Sequence, residues 1–227
     1  MRLDPLLNTS RLGSRRGGAR QQIFKASLTL ASLLCLSAAC LTKSAPRQEP
    51  RAANQESGAF EQSGVNRSPL KLPLRDPKIL VKKAQRQLLL FSGGELVRTY
   101  RIGLGLSPSG DKVRAGDRRT PEGEFYIFTK NDKSAFYLSL GLSYPNAAHA
   151  ERGLRDGLIT KAQRDAIVRA LLMKKAPPQN THLGGDIYIH GHGAQSDWTW
   201  GCVALENEDI RELFDAVSVG TTVVIEP

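Results

Sequence analysis

Cysteine is scarce in this sequence, with three in 227 residues. Cys35 and Cys40 belong to an N-terminal apolar segment and its border, which leaves Cys202 as the single thiol of the remaining chain. An intramolecular disulfide framework is therefore excluded there. Long apolar runs are equally rare. The one clear run, residues 26–39, is broken only by Ser and Thr. It falls short of the roughly 20 apolar residues that a transmembrane helix needs. No internal repeat is visible. Basic charge is in excess, at a formal +10, but half of that excess is a net +5 in residues 1–40, with +1 in 41–70 and +4 in 71–227. So dilute a positive surface, without the motifs of nucleic-acid-binding folds, excludes a nucleic-acid binder and suits contact with an anionic polymer.

The N-terminal 40 residues have the order of a secretory signal. Arg2, Arg11, Arg15, Arg16, Arg20 and Lys25 face the single acid Asp4, the apolar run follows, and Ser37-Ala38-Ala39 closes it before Cys40. A basic head, a short apolar run and a small-residue exit direct export. Cleavage after Ala39 fits the small-residue rule. The alternative is a lipid anchor at Cys40, but Ser37 stands where a lipoprotein signal carries a large aliphatic residue. The Arg15-Arg16 pair hints weakly at twin-arginine export, since Gly17 and Gly18 follow it. Residues 41–77 read as a flexible linker. Most are Pro, Gln, Ser, Ala, Asn and charged residues, which bury too little apolar surface to offset chain entropy.

From Lys78 onward the pattern is that of a folded domain, residues 78–227, of mainly β (α+β) class. Strands are expected at 79–81, at 87–91 and 95–102 around the Ser92-Gly93-Gly94 turn, at 124–129 with a partner at 135–140, at 186–190 and at 221–225. Residues 103–117 read as an irregular glycine-rich loop. Two helices are expected. One starts at the Thr160/Gln163 capping box and stops before Pro177-Pro178. The other is capped by Asn207, with Glu208 and Asp209 in its first turn.

The chemistry concentrates between Asp186 and Cys202. A strand delivers His190, a glycine-rich loop with Gly191 and Gly193 follows, and the chain returns to present Cys202 after Gly201. A thiol reacts as thiolate, and a neighbouring imidazole can take its proton and stabilise the anion. Gly201 permits close backbone approach, and the Gly201 and Cys202 N–H groups are candidate donors to a developing oxyanion. The competing reading of Cys202 is a buried, inert cysteine.

The segment Ile189-His190-Gly191 … Thr199-Trp200-Gly201-Cys202 resembles the signature of the L,D-transpeptidase (YkuD-type) catalytic domain, His-Gly followed by Ser/Thr-x-Gly-Cys. Residues 116–123, Gly-Asp-Arg-Arg-Thr-Pro-Glu-Gly, resemble that family's Gly-Asp-x-Arg-Thr-Pro-x-Gly turn, and residues 139–146 resemble a stretch found in one branch of it. The resemblance spans residues 78–226. It implies a mainly β domain with two helices and a cradle over the active cysteine. It also implies an enzyme that attacks the bond before the terminal D-alanine of peptidoglycan stem tetrapeptides, forms a thioester, and passes the acyl group to an amine of another stem. In those terms Cys202 matches the nucleophile, His190 the general base, Gly191 the carbonyl that orients the imidazole, Thr199 the motif hydroxyl, and Arg119 an arginine suited to a substrate carboxylate. Neither a metal nor an organic cofactor is implied, and the partners are stem peptides, with a membrane reached only through the Cys40 anchor. Two departures stand out. Trp200 occupies the place of a frequent histidine, which makes it a substrate-contact candidate, and Val203 and Ala204 replace a frequent Asn or Arg.

Rival readings stay open at this point. His190 and His192, which would share one face of a continuing strand, could form a zinc site with Cys202 and His182, although no carboxylate or second Cys completes a ligand spacing. Asp197 could orient a histidine or sit as a solvated loop acid, and Trp198 could stack on substrate or pack around the loop. His149 and His182 read as surface residues, while Lys112, Arg114, Arg118 and Arg119 could meet anionic stem peptides or form a charged, solvated loop. For the whole chain the alternatives are a stem-peptide hydrolase with the same Cys–His chemistry and a non-catalytic wall-binding module.

Overall fold

The computed structural model describes residues 68–227. The expected signal, the Cys40 anchor and the linker as far as residue 67 lie outside the described residues. Within them are eight strands: β1 Lys78–Lys82, β2 Gln87–Ser92, β3 Glu95–Arg101, β4 Gly123–Ser134, β5 Tyr137–Leu142, β6 Tyr188–His190, β7 Val203–Ala204 and β8 Thr222–Glu226. Three helices accompany them: α1 Ala147–Arg155, α2 Lys161–Leu172 and α3 Asn207–Ala216. None of these helices is long and apolar enough to cross a membrane.

The strands form one mixed sheet in the order β3-β2-β1-β8-β4-β5-β6-β7. Most neighbours are antiparallel, but β1 runs parallel to β8 and β6 parallel to β7. The sheet curls until its ends meet. Gly103, two residues past β3, exchanges both backbone hydrogen bonds with Ala204 of β7, at 2.9 and 2.8 Å. A side chain at Gly103 would abut the Ser196 carbonyl at 2.3 Å, so glycine is what allows this seam.

Alternation of apolar residues makes one face of the sheet the core. Ile79 and Val81, Leu88 and Leu90, Phe125 and Ile127, Leu138, Leu140 and Leu142, and Val223 and Ile225 all point inward and are buried. Helix α3 plugs this interior with Ile210, Leu213 and Ala216. Each fully buried aliphatic side chain contributes about 1.5–3 kcal/mol of transfer free energy. Residues 68–77, which composition assigns to the end of the linker, lie against the domain. Leu70 and Leu74 pack on the core, and the Ser68 carbonyl accepts from the buried Arg98, which also pairs with Glu212 at 2.7 Å.

The structure departs from the sequence expectations in the helices. Helix α1 has no counterpart there. Its inward face carries only Ala150 and Leu154 as apolar side chains, and the buried His149 completes it. That imidazole packs against Phe125 and Tyr144, and bonds to the Asn146 cap and to Asp111 at 2.6 and 3.0 Å. His149 is thus an interior residue, whereas His182 is exposed. Helix α2 follows the expectation, with the full Thr160/Gln163 capping box and an end at Leu172, ahead of Pro177-Pro178, after which Lys174 turns left-handed at φ 53°. Asn207 does not cap α3. Glu206 holds the cap position, while the Asn207 and Glu206 side chains accept from the N–H groups of His192 and Ala194, at 2.9 and 2.8 Å, and so tie the loop after β6 to α3.

Candidate active site

Parallel pairing of β6 with β7 sets Ile189 opposite Val203 and His190 opposite Ala204. Ile189 and Val203 point into the core. Alternation then sends Tyr188 and His190 to the other face, together with Cys202 and Ala204. The Tyr188 N–H lies 3.4 Å from Cys202 Sγ, as this register requires. The imidazole and the thiol therefore share one side of the sheet.

His190 is held on every side. Its Nδ1 is 2.8 Å from the Gly191 carbonyl. A carbonyl only accepts, so in the neutral ring Nδ1 carries the proton and Nε2 is left as an acceptor. The Phe136 ring, from the β4–β5 turn, stacks on the imidazole at 4.6 Å between centroids, and Trp198 meets it edge-on at 5.5 Å. Trp198 is fixed in turn by its indole N–H, which donates to the Gly193 carbonyl at 3.1 Å. Burial pushes the His190 pKa below the usual imidazole value, assisted by nearby His192 and opposed by the Gly191 hydrogen bond.

Cys202 is half-buried. Its thiol donates to the Asp186 carbonyl at 3.5 Å and accepts from Tyr188 N–H, and no hydrogen bond joins it to His190 among the described residues. Burial pushes its pKa up to about 11; the Tyr188 N–H and the charge of Lys112 oppose that rise, and Asp186 adds to it. Both shifts favour the uncharged forms of the thiol and the imidazole near pH 7.

The turn before the thiol is braced by two buried threonines. Thr199 Oγ donates to the Cys202 carbonyl at 2.8 Å and accepts from Gly201 N–H at 3.1 Å. Thr120 Oγ reaches the same carbonyl at 3.4 Å and accepts from Gly105 N–H. The Gly201 N–H is thus occupied by Thr199, contrary to its expected place as an oxyanion donor. The Cys202 N–H has no acceptor among the described residues. Gly201 adopts φ 130°, and a side chain there would meet the Arg119 carbonyl at 2.7 Å.

The remaining candidates separate. The Arg119 guanidinium reaches the Asp111 carbonyl at 3.4 Å, while the neighbouring Arg118 is exposed and lies 4.7 Å from the centroid of the exposed Trp200 ring. Asp197 is neither a histidine partner nor a free loop acid, since it pairs with Arg86 at 2.7 Å and accepts from Leu104 N–H. Lys112 is 2% exposed rather than solvated, and its ammonium bonds to Asp117 at 2.7 Å. Asp117 also accepts the N–H groups of Val113, Arg114 and Arg119. Among the described residues no three His, Cys, Asp or Glu side chains gather as metal ligands. Sequence reasoning missed Phe136, Thr120 and the Lys112–Asp117 pair. Thr120 had a signal in the Arg-Thr-Pro turn. Phe136 had none, because a hairpin tip brings it to His190 from 54 residues away in the sequence.

Residues 76–225 match the L,D-transpeptidase catalytic domain (YkuD) family. No curated protein matches the chain. Among solved structures, the helical cell shape determining protein Pgp2 from Campylobacter jejuni is 22% identical, with TM-score 0.44, over 66% of this chain and 47% of that one. Bd1075 of Bdellovibrio bacteriovorus is 20% identical, with TM-score 0.44, over 71% and 51%. The L,D-transpeptidase of Xylanimonas cellulosilytica is 16% identical, with TM-score 0.40, over 70% and 64%. The chain thus spans less than two thirds of each of these solved chains. With the family match extending over residues 76–225, this chain belongs to the L,D-transpeptidase catalytic domain (YkuD) family of enzymes.

Proposed function

We propose that the chain is an exported cell-envelope L,D-transpeptidase that forms a thioester between Cys202 and a peptidoglycan stem tetrapeptide, then transfers the acyl group to an amine. The observation that supports this reading best is the placement of Cys202 and of a His190 with an unprotonated Nε2 on one face of the sheet. In the first step the thiol rotates away from the Asp186 carbonyl and gives its proton to Nε2 as sulfur attacks the carbonyl carbon before the terminal D-alanine. The C–S bond forms, the Cys202 N–H and the surrounding site stabilise the oxyanion, and the C–N bond breaks. The imidazolium returns its proton to the departing amine. In the second step an acceptor amine attacks the thioester and loses a proton to Nε2, the C–S bond breaks, and the imidazolium returns that proton to the Cys202 sulfur. Thr199 and Thr120 keep the turn rigid by holding the Cys202 carbonyl.

The test is to incubate the purified chain with a stem tetrapeptide, with and without an amine-bearing stem, and to separate the products by mass. Release of D-alanine with a crosslinked dimer, abolished by Cys202→Ala, is expected. Tripeptide alone would assign a hydrolase, and no turnover with intact wall binding by Cys202→Ala would assign a binding module.

A further inference from the structure

Over the ring of Trp200, two residues before Cys202 in the chain, lies a cation with no ion-pair partner among the described residues. We infer that Arg118, stacked on Trp200, is the carboxylate-recognition element of this site, an inference that rests on the function proposed above. Three observations carry it. First, Trp200 is 66% exposed only two residues before the thiol, and the Arg118 guanidinium lies over its ring at 4.7 Å. A guanidinium held over an aromatic face keeps its N–H groups available at the edge, where a carboxylate can be gripped through two parallel bonds.

Second, two other cations of the same loop are engaged elsewhere, while Arg114 is exposed with no aromatic platform under it among the described residues. Lys112 is buried against Asp117, and Arg119 reaches back to the Asp111 carbonyl. Arg119, the residue suggested by sequence resemblance, is therefore the less suitable ligand. Third, the backbone beneath Arg118 is locked to the backbone beneath the thiol. The Arg118 carbonyl accepts from Ser107 N–H at 3.0 Å. A side chain at Gly105 would lie 2.2 Å from that carbonyl and 3.2 Å from the Gly201 Cα, so three backbone segments are in contact there. The guanidinium thus springs from backbone packed against the turn that carries Cys202. A stem tetrapeptide offers carboxylates close to that bond, on the terminal D-residue and on the diamino acid before it.

Binding, measured independently of turnover, tests this. In a Cys202→Ala background, calorimetry gives the affinity for stem tetrapeptide and for two analogues, one amidated at the terminal carboxylate and one at the diamino-acid carboxylate. Arg118→Gln is expected to weaken the unmodified peptide about tenfold, the scale of one lost charge-assisted contact. It should leave unchanged the affinity for the analogue that lacks the contacted carboxylate, which identifies the source. Trp200→Leu should give a smaller loss of the same pattern. Equal effects on all three peptides, no effect on any, or no binding by the parent protein would overturn the inference. Failure here alongside intact wild-type transpeptidation would remove only the role of Arg118. Coupling here without any turnover would instead remove the proposed reaction.

Discussion

Replacing His190 by glutamine is expected to slow acylation of Cys202 at pH 7 by about 10²–10⁴-fold, the usual contribution of a positioned base. Glutamine fills similar space between Phe136 and Trp198 and can still donate to the Gly191 carbonyl, so the fold should survive while the proton acceptor is lost. The pH profile separates this from a structural effect. In the wild type, burial holds the imidazole pKa below its usual value of 6.5 and pushes the thiol up to about 11. Acylation should therefore fall only as pH drops through the depressed imidazole pKa, and stay level through neutrality. With His190→Gln, the only route is prior ionisation of the thiol, so the rate should climb roughly tenfold per pH unit toward the thiol pKa. A variant with wild-type rate and a flat profile would contradict the role given to His190. Timed mass measurement of a carbapenem adduct supplies the rates.

Asp117→Ala is expected to be the most destabilising change in the loop that packs on the active turn, at about 3–5 kcal/mol, the cost of leaving a buried charge without its partner. The Lys112 side chain is 3% exposed, and Asp117 is its single acidic partner among the described residues. The same carboxylate holds three N–H groups of residues 113–119. For a domain of this size the loss corresponds to roughly 6–20 °C in melting temperature. Burial pushes the Asp117 pKa up, but Lys112 and the N–H groups of Arg114, Val113 and Arg119 outweigh it, and the carboxyl stays below its usual range. The contribution is therefore present above the ordinary carboxylate pKa and lost as pH falls through the lower folded value. Lys112→Met combined with Asp117→Ala should recover part of the loss, because the stranded ammonium is then gone. An unchanged melting temperature for Asp117→Ala would contradict the buried-pair description.

Much of this fold can be read from residues in order, because strand alternation and capping boxes are local signals. β1, β2, β3 and β8, the Ser92-Gly93-Gly94 turn and the Thr160 cap all follow from neighbours within a few positions. Helix α1 cannot be read that way. Its third inward residue is a histidine, made compatible with burial by Asp111, 38 positions earlier in the chain. The same limit applies at the site. His190 and Cys202 stand out through glycine spacing and the motif resemblance. What surrounds them, Phe136 from a hairpin tip, the Asp186 carbonyl at the sulfur and the Lys112–Asp117 pair, is assembled by sheet curvature and by a loop crossing. Asn207 shows the related error. A good capping residue was drawn off to the His192 N–H because closing the β6 loop against α3 satisfies a tertiary donor instead of a helical one.

The most direct test is intact mass of the wild-type chain and of Cys202→Ala after incubation with a carbapenem. One covalent adduct on the wild type, placed on Cys202 by peptide mapping and absent from the variant, is the expected result. An adduct that persists in Cys202→Ala, or none on folded wild-type protein, would contradict a nucleophilic thiol at this position.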